Sequence, residues 1–161
     1  RLEQVLGRHL ADDERFVSAV IAEVTPDGVI SFLNCGHPPP LMLYKDGTST
    51  FAEPPEESPP LGLTDLRLEV PKPFQMPFGP GDRVLLYTDG VIEARDRHGA
   101  FYPLPERAEM LRDQDPQEAL DALRADLLRH VGSPLPDDAA MLLLHWPDTK
   151  PDPVEPGQAA I

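Results

Sequence analysis

Apolar runs separated by polar turn residues in the first third of the chain predict two β-hairpins. The segment 16–24 is rich in β-branched residues, and the turn sequence Thr-Pro-Asp-Gly at 25–28 separates it from the apolar segment 29–34. Proline at the second position of a turn and glycine at the fourth are typical of a tight connection between antiparallel strands. A second hairpin is predicted to pair 41–44 with 49–51 across the sequence Lys-Asp-Gly.

Two strongly apolar strands and one helix are predicted in the second half of the chain. The segments 82–88 and 139–146 each contain a run of large apolar side chains, which is typical of buried strands. Between them, Asp115 is a predicted N-cap with proline at the next position. Apolar side chains then repeat at helical spacing until Gly132 ends the helix.

The order of these elements predicts an α+β domain rather than a repeated βαβ unit. Residues 1–10 also have helical spacing, whereas 52–80 is interrupted by prolines and is predicted to form loops around short strands. The last residues, 147–161, contain almost nothing to bury and are expected to be disordered. We expect an antiparallel sheet that contains the segments 16–24, 29–34, 82–88 and 139–146.

Composition and charge narrow the classes of function. The chain has 161 residues, of which 21 are proline, so it fits one domain and is not an all-helical bundle. Its 28 acidic and 14 basic residues give a formal net charge of −14, which opposes nucleic-acid binding and is compatible with cation binding. The one cysteine, Cys35, indicates a reducing, cytoplasmic compartment. No apolar run approaches the ~20 residues of a membrane span, so no membrane contact is expected.

Asp89 is the first candidate for chemistry. It follows the apolar segment 82–88 directly, within the sequence Thr-Asp-Gly. A charged side chain at the point where a buried strand leaves the core is either a helix cap or a ligand. One interpretation is that Asp89 caps a helix over 91–96, near its positive N-terminus. The other is that Asp89 binds a divalent cation.

The second candidate is the acidic pair Asp137 and Asp138, which precedes the segment 139–146. Adjacent side chains of an extended chain point in different directions, so at most one of the two serves a given site. If the two apolar strands are neighbours, Asp89 and one of these acids converge on one cation. Carboxylate oxygens favour Mg²⁺ or Mn²⁺ over zinc. The alternative interpretation is that the acidic pair is a solvated turn.

The sequence Asn-Cys-Gly-His-Pro-Pro-Pro at 34–40 contains two further reactive side chains. His37 precedes three prolines and is interpreted as part of a rigid turn, although histidine is also a candidate general acid. Cys35 follows a strand and is interpreted as a small buried residue rather than a nucleophile.

Four stretches follow one another along the chain, namely NCGHPPPLML at 34–43, PLGL at 60–63, FGPGDRVLLYTDGVIEARD at 78–96 and PDDAAMLLL at 136–144. Together they resemble the metal-dependent protein phosphatases of type 2C (PP2C), in particular the bacterial branch named after stage II sporulation protein E. The resemblance implies an antiparallel β-sandwich flanked by helices, here incomplete at the N-terminus, with two metal ions at one end. It also implies that Asp89 and Asp137 are metal ligands and catalytic residues for the hydrolysis of phosphoserine or phosphothreonine by a metal-bound hydroxide.

The early metal motifs of that family are expected upstream of 16–24, but residues 1–15 contain no such segment. We therefore expect residues 1–146 to be the C-terminal part of a PP2C-like catalytic domain that is inactive by itself. The segment 147–161 is expected to be a proline-rich tail. An incomplete sandwich has an open sheet edge, and such an edge favours self-association.

The resemblance implies a Mn²⁺- or Mg²⁺-dependent serine/threonine phosphatase of bacterial partner-switching signalling. Its substrate is then expected to be a phosphorylated protein of the anti-anti-sigma type. The alternative is a degenerate, non-catalytic phosphatase domain that binds a regulatory protein. Metal motifs encoded upstream of Arg1 would favour the enzyme, and their absence from the gene would favour the binding module.

Overall fold

The computed structural model describes residues 16–62, 71–112, 115–132 and 138–148. The helix predicted at 1–10 and the predicted tail beyond 148 lie outside the described residues. The elements in chain order are β1 (Ala19–Thr25), β2 (Val29–Cys35), β3 (Leu41–Leu43), β4 (Ser49–Phe51), β5 (Phe74–Pro77), β6 (Arg83–Tyr87), the helix α1 (Asp89–Ile92), a 3₁₀ helix (Leu104–Leu111), the helix α2 (Pro116–Val131) and β7 (Met141–His145).

Both predicted hairpins are confirmed. Strands β1 and β2 are antiparallel, with Thr25 opposite Val29 at the turn. The turn needs a glycine because Gly28 has a φ of 87°, in the left-handed region that favours glycine. In the second hairpin, β3 and β4 are antiparallel with Leu43 opposite Ser49.

The strands form two antiparallel sheets, which confirms the sandwich implied by the resemblance to PP2C phosphatases and differs from the one sheet expected from the apolar pattern. The first sheet has the order β1-β2-β5, and the second has the order β4-β3-β6-β7. The expectation of a single sheet that contains 16–24, 29–34, 82–88 and 139–146 was therefore wrong. The chain changes sheet after Cys35, because the turn and the prolines of 36–40 carry it from β2 to β3.

The second sheet is the middle layer of the molecule. One core cluster lies between the two sheets and includes Ile30, Phe32 and Val84. The other lies between the second sheet and the helices and includes Leu85 and Leu123. Consecutive residues of β6 point to opposite faces of the sheet, so the apolar run predicted as a buried strand supplies both cores.

The predicted long helix is confirmed as α2. The Asp115 side chain accepts a hydrogen bond from the backbone N–H of Gln117, and Gly132 ends the helix with a φ of 68°. The 3₁₀ helix was not predicted, although Leu104, Ala108 and Leu111 have the spacing of one buried face. No helix in the described part of the chain has the length and hydrophobicity that a bilayer crossing requires.

Candidate metal centre

Strands β6 and β7 are neighbours, which is the condition that the metal hypothesis required. Tyr87 at the end of β6 is opposite Met141 at the start of β7. The pairing continues past the strands, because the backbone N–H of Thr88 donates to the carbonyl of Ala140 at 3.0 Å. Asp89 therefore lies at the same end of the sheet as the segment that precedes β7.

The Thr88 side chain joins these two strand ends. Its hydroxyl Oγ1 donates to the carbonyl of Asp138 at 3.1 Å and accepts from the backbone N–H of Ala140 at 2.9 Å. Gly90 is packed against the same segment, since a Cβ at that position would lie 2.6 Å from the Asp138 carbonyl oxygen. Sequence reasoning missed both roles. The only available signal was that threonine and glycine flank Asp89.

Asp89 is exposed and is the first residue of α1. The N-cap position belongs to Thr88, whose side chain makes no capping hydrogen bond. One Asp89 oxygen, Oδ1, accepts from the adjacent N–H of Gly90 at 2.9 Å. Within the described residues the other oxygen, Oδ2, has no hydrogen-bond donor. The Asp89 carboxylate therefore lies at the end of β6, and its Oδ2 makes no hydrogen bond with the described residues.

The helix predicted over 91–96 is wrong in extent. Helix α1 is a single turn that ends at Ile92, and the chain then pairs with a later segment, because the N–H of Tyr102 donates to the carbonyl of Ala94 at 2.9 Å. Asp89 is therefore not the N-cap of α1, because that position belongs to Thr88. A one-turn helix also gains little from a cap.

Asp137 lies outside the described residues, so its carboxylate remains a prediction. Asp138 is described and exposed, and its main chain is fixed by Thr88. Among the described residues, no group of three or more histidine, cysteine, aspartate or glutamate side chains is arranged to hold a metal ion. These residues present the Asp89 carboxylate beside the segment that leads into β7 and contains Asp138.

The 34–40 segment closes the same end of the sandwich as a rigid turn. The Asn34 side chain donates to the carbonyl of His37 at 2.9 Å and accepts from its N–H at 2.8 Å. A Cβ on Gly36 would lie 2.6 Å from Pro60, so the turn packs tightly against a later loop. The predicted turn role of His37 is thus present in the structure, and Cys35 is buried as predicted.

Tyr87 fastens this turn to the second sheet. Its hydroxyl donates to the carbonyl of Pro39 at 2.9 Å. Burial raises the pKa of the Tyr87 hydroxyl to about 12, so it remains a hydrogen-bond donor at neutral pH. The end of β6 is thereby held on one side by the prolines and on the other by β7.

Solved structures share this arrangement of two sheets and flanking helices. The phosphatase domain of SpoIIE from Bacillus subtilis, presoaked with manganese, is 16% identical with a TM-score of 0.67, and the match covers 92% of this chain and 66% of that chain. The SiaA-PP2C domain of Pseudomonas aeruginosa is 21% identical with a TM-score of 0.73, covering 89% and 57%. The serine/threonine phosphatase PstP, solved with 2 manganese ions, is 16% identical with a TM-score of 0.62, covering 88% and 64%.

These likenesses define the class of fold: the chain has the antiparallel, helix-flanked fold of PP2C phosphatases. The chain spans less than two thirds of the length of each of these structures. A model of the stage II sporulation protein E (SpoIIE) family matches residues 1–147, and the chain belongs to that family. Curated protein sequences give no match.

Proposed function

We propose that the protein containing this chain is a Mn²⁺- or Mg²⁺-dependent serine/threonine protein phosphatase. The observation that carries this proposal is the position of Asp89, an exposed carboxylate at the end of β6, beside the start of β7. Thr88 and Gly90 fix the backbone on either side of it. Membership of the SpoIIE family supports assigning this carboxylate to the chemistry of a phosphatase.

Asp89 and Asp137 would hold one of the cations. The fit is supported by the chemistry of the Asp89 carboxylate, which is a hard oxygen donor with Oδ2 unused by other described residues. A hard cation needs about six oxygens, so further ligands must come from other parts of the protein and from water. The cations supply two things when bound, namely a water of lowered pKa and a clamp for the phosphoryl oxygens.

We further propose that the chain is the C-terminal part of a longer catalytic domain, with residues 1–146 in the domain and 147–161 as a tail. The partial coverage of the similar structures supports this division. Strand β1 is one outer strand of the first sheet and β7 is one outer strand of the second, and within the described ranges each pairs with a single neighbour. Additional strands could extend the sandwich there, and in their absence the same edges would favour self-association.

The proposed substrate is a phosphorylated protein of the anti-anti-sigma type in cytoplasmic partner-switching signalling. Family membership supports this class of substrate. The formal charge of −14 opposes nucleic acid as a ligand and fits a site that recruits cations.

The test is an Asp89→Asn substitution in the full-length gene product. An amide is a much poorer ligand for a hard cation, so we expect hydrolysis of p-nitrophenyl phosphate in Mn²⁺ to fall by about 100-fold or more. Mn²⁺ affinity, measured by calorimetry, should fall in parallel. Asp121→Asn, on the exposed face of α2, is the matched control and should retain both. His37→Ala should cost much less than Asp89→Asn, because His37 has a turn role.

The chain of residues 1–161 alone should hydrolyse the same substrate negligibly. Robust turnover by this chain would show that the essential ligands have been misplaced. Full activity of the Asp89→Asn variant would remove the Thr-Asp-Gly sequence from the metal site. A full-length protein that binds a regulatory protein but hydrolyses no phosphate would instead be the non-catalytic module.

A further inference from the structure

A short basic loop follows the candidate metal centre directly. Helix α1 begins with Asp89, and the chain then forms the 95–101 loop, which has the sequence Arg-Asp-Arg-His-Gly-Ala-Phe. Arg95 and Phe101 pair as an isolated antiparallel bridge at the base of the loop. One helical turn and a few residues therefore separate the Asp89 carboxylate from the loop.

The 95–101 loop presents an aromatic ring and two guanidinium groups. The Phe101 ring is 52% exposed. The Arg95 guanidinium lies 3.9 Å from the centre of that ring, which is a cation–π arrangement. Arg97 is exposed and donates to the His98 ring at 3.0 Å. No carboxylate of the described residues lies within ion-pair distance of either arginine.

The one acidic residue of the loop keeps its negative charge, but it is one carboxylate against two guanidinium groups, and it accepts hydrogen bonds from the backbone inside the loop. Asp96 Oδ1 accepts from the N–H of His98 at 2.8 Å and from the N–H of Ala100 at 2.9 Å. These backbone hydrogen bonds hold the pKa of Asp96 below its usual range. The arginines therefore dominate the outward face of the loop, in a chain whose formal net charge is −14.

The loop is also held in place from behind. The Tyr102 hydroxyl donates to the buried Asp126 carboxylate of α2 at 2.9 Å. The His130 ring nitrogen Nε2 lies 3.1 Å from the carbonyl of Ala100, near the end of α2. A surface that is already ordered loses little conformational entropy when it binds a partner.

We propose that the 95–101 loop is a docking surface for an acidic segment of the phosphoprotein substrate. Arg95 and Arg97 attract the carboxylates of that segment, and Phe101 supplies an apolar contact beside Arg95. The proposal rests on the phosphatase function proposed above and extends it. Arg95 follows Asp89 by six residues, so their Cα atoms are at most about 22 Å apart, within the reach of one extended peptide. The two guanidinium groups are complementary to carboxylates, and the exposed Phe101 beside them suits the apolar side chains that a protein segment also carries, so an acidic protein segment is favoured.

The experiment uses the full-length gene product and two fluorescein-labelled phosphoserine peptides of equal length. One peptide has aspartate and glutamate around the phosphoserine, and the other has asparagine and glutamine. Fluorescence anisotropy measures both dissociation constants. We expect the acidic peptide to bind more tightly, and Arg97→Glu to weaken its binding about tenfold while changing the amide peptide much less. Arg124→Glu, an exposed charge reversal on α2, is the matched control and should preserve the preference. Arg97→Lys should also preserve it.

Three outcomes would overturn the proposal. The first is equal binding of the two peptides by the wild type, or equal effects of Arg97→Glu and Arg124→Glu. The second is that a single-stranded DNA binds as tightly as the acidic peptide and that Arg97→Glu also weakens its binding. The third is that Arg97→Glu changes only the self-association of the protein, measured by sedimentation. Hydrolysis of p-nitrophenyl phosphate is measured separately. If it is absent while the acidic preference is present, the docking surface stands and the phosphatase function fails.

Discussion

Among the described residues, the second sheet is covered on both faces, whereas the first sheet has core packing on only one. In β6, Val84 faces the first sheet and Leu85 faces the helices, and both are fully buried. In the first sheet, Ile30 and Phe32 are fully buried, but Ile21 of the edge strand β1 is 52% exposed. Asp89 follows the doubly covered strand. A rigid element positions a ligand side chain best, and the proposed ligand Asp89 follows the most fully covered strand of the described residues.

The largest expected difference between the sheets is in core stability. Leu85→Ala should lower the free energy of unfolding by about 2–5 kcal/mol, because a fully buried leucine leaves a cavity. Ile21→Ala should lower it by less than about 1 kcal/mol, since half of the side chain is already in water. Urea unfolding of both variants measures the difference. Equal destabilisation would mean that the outer face of β1 is covered in solution.

Substitutions at the end of each sheet should lower the free energy of unfolding by a smaller amount. They also separate the two sheets by their effect on Mn²⁺ binding. Thr88→Val keeps the shape of the side chain but removes its hydrogen bonds to Asp138 and Ala140, so it should cost about 1–3 kcal/mol. Asn34→Ala removes two hydrogen bonds to the His37 backbone and should cost a similar amount.

Only Thr88→Val should also weaken Mn²⁺ binding by the full-length protein, because Thr88 joins the two strand ends of the candidate metal centre. Asn34 acts within its own turn. Calorimetric titration with Mn²⁺ distinguishes the two variants. If Asn34→Ala weakens Mn²⁺ binding as much as Thr88→Val does, the metal centre depends on both sheets.

The smallest effect concerns pH and the last residue of β7. Burial, together with the positive charge of Arg83, lowers the pKa of His145 below 6.5, against an opposing effect of Asp148. The unfolded chain therefore binds more protons just below pH 6.5 than the folded chain does. The contribution of neutral His145 to stability is complete above about pH 6.5 and is lost as the pH falls through the lowered pKa.

We therefore expect the urea midpoint of His145→Gln to change less between pH 7.5 and pH 5.5 than the midpoint of the wild type. His98→Gln, on the exposed 95–101 loop, is the control and should follow the wild type. Parallel pH profiles for all three proteins would show that another group controls this range.

The parts of the fold that depend on short stretches of sequence were predictable. The first hairpin follows from a turn that places glycine at Gly28, where φ is positive, and α2 follows from the cap at Asp115 and the glycine at Gly132. In each case a local backbone requirement selects the residue type. The turn at His37 was predictable for the same reason, because three prolines follow it.

The parts that depend on distant residues were not predictable from local pattern. The division into two sheets depends on which apolar faces pack together after the chain leaves Cys35. The role of Thr88 depends on β7, because its hydroxyl contacts residues 50 and 52 positions later. The short extent of α1 depends on the pairing of Ala94 with Tyr102. The sequence placed Asp89 at a strand end, and the resemblance to PP2C phosphatases supplied its neighbour Asp137.

The burial of Cys35 gives the chain an internal reporter of local opening. It is the only cysteine in the sequence, and its residue is 3% exposed at the end of β2, opposite Ala19 of the edge strand. A thiol reagent reaches it only when this end of the first sheet opens. The labelling rate under native conditions, divided by the rate for the unfolded chain, therefore gives the equilibrium constant for that opening when the sheet recloses faster than the reagent reacts. Without any engineered probe, the same measurement in the presence of Mn²⁺ or a bound protein would show whether ligands slow the opening of this sheet.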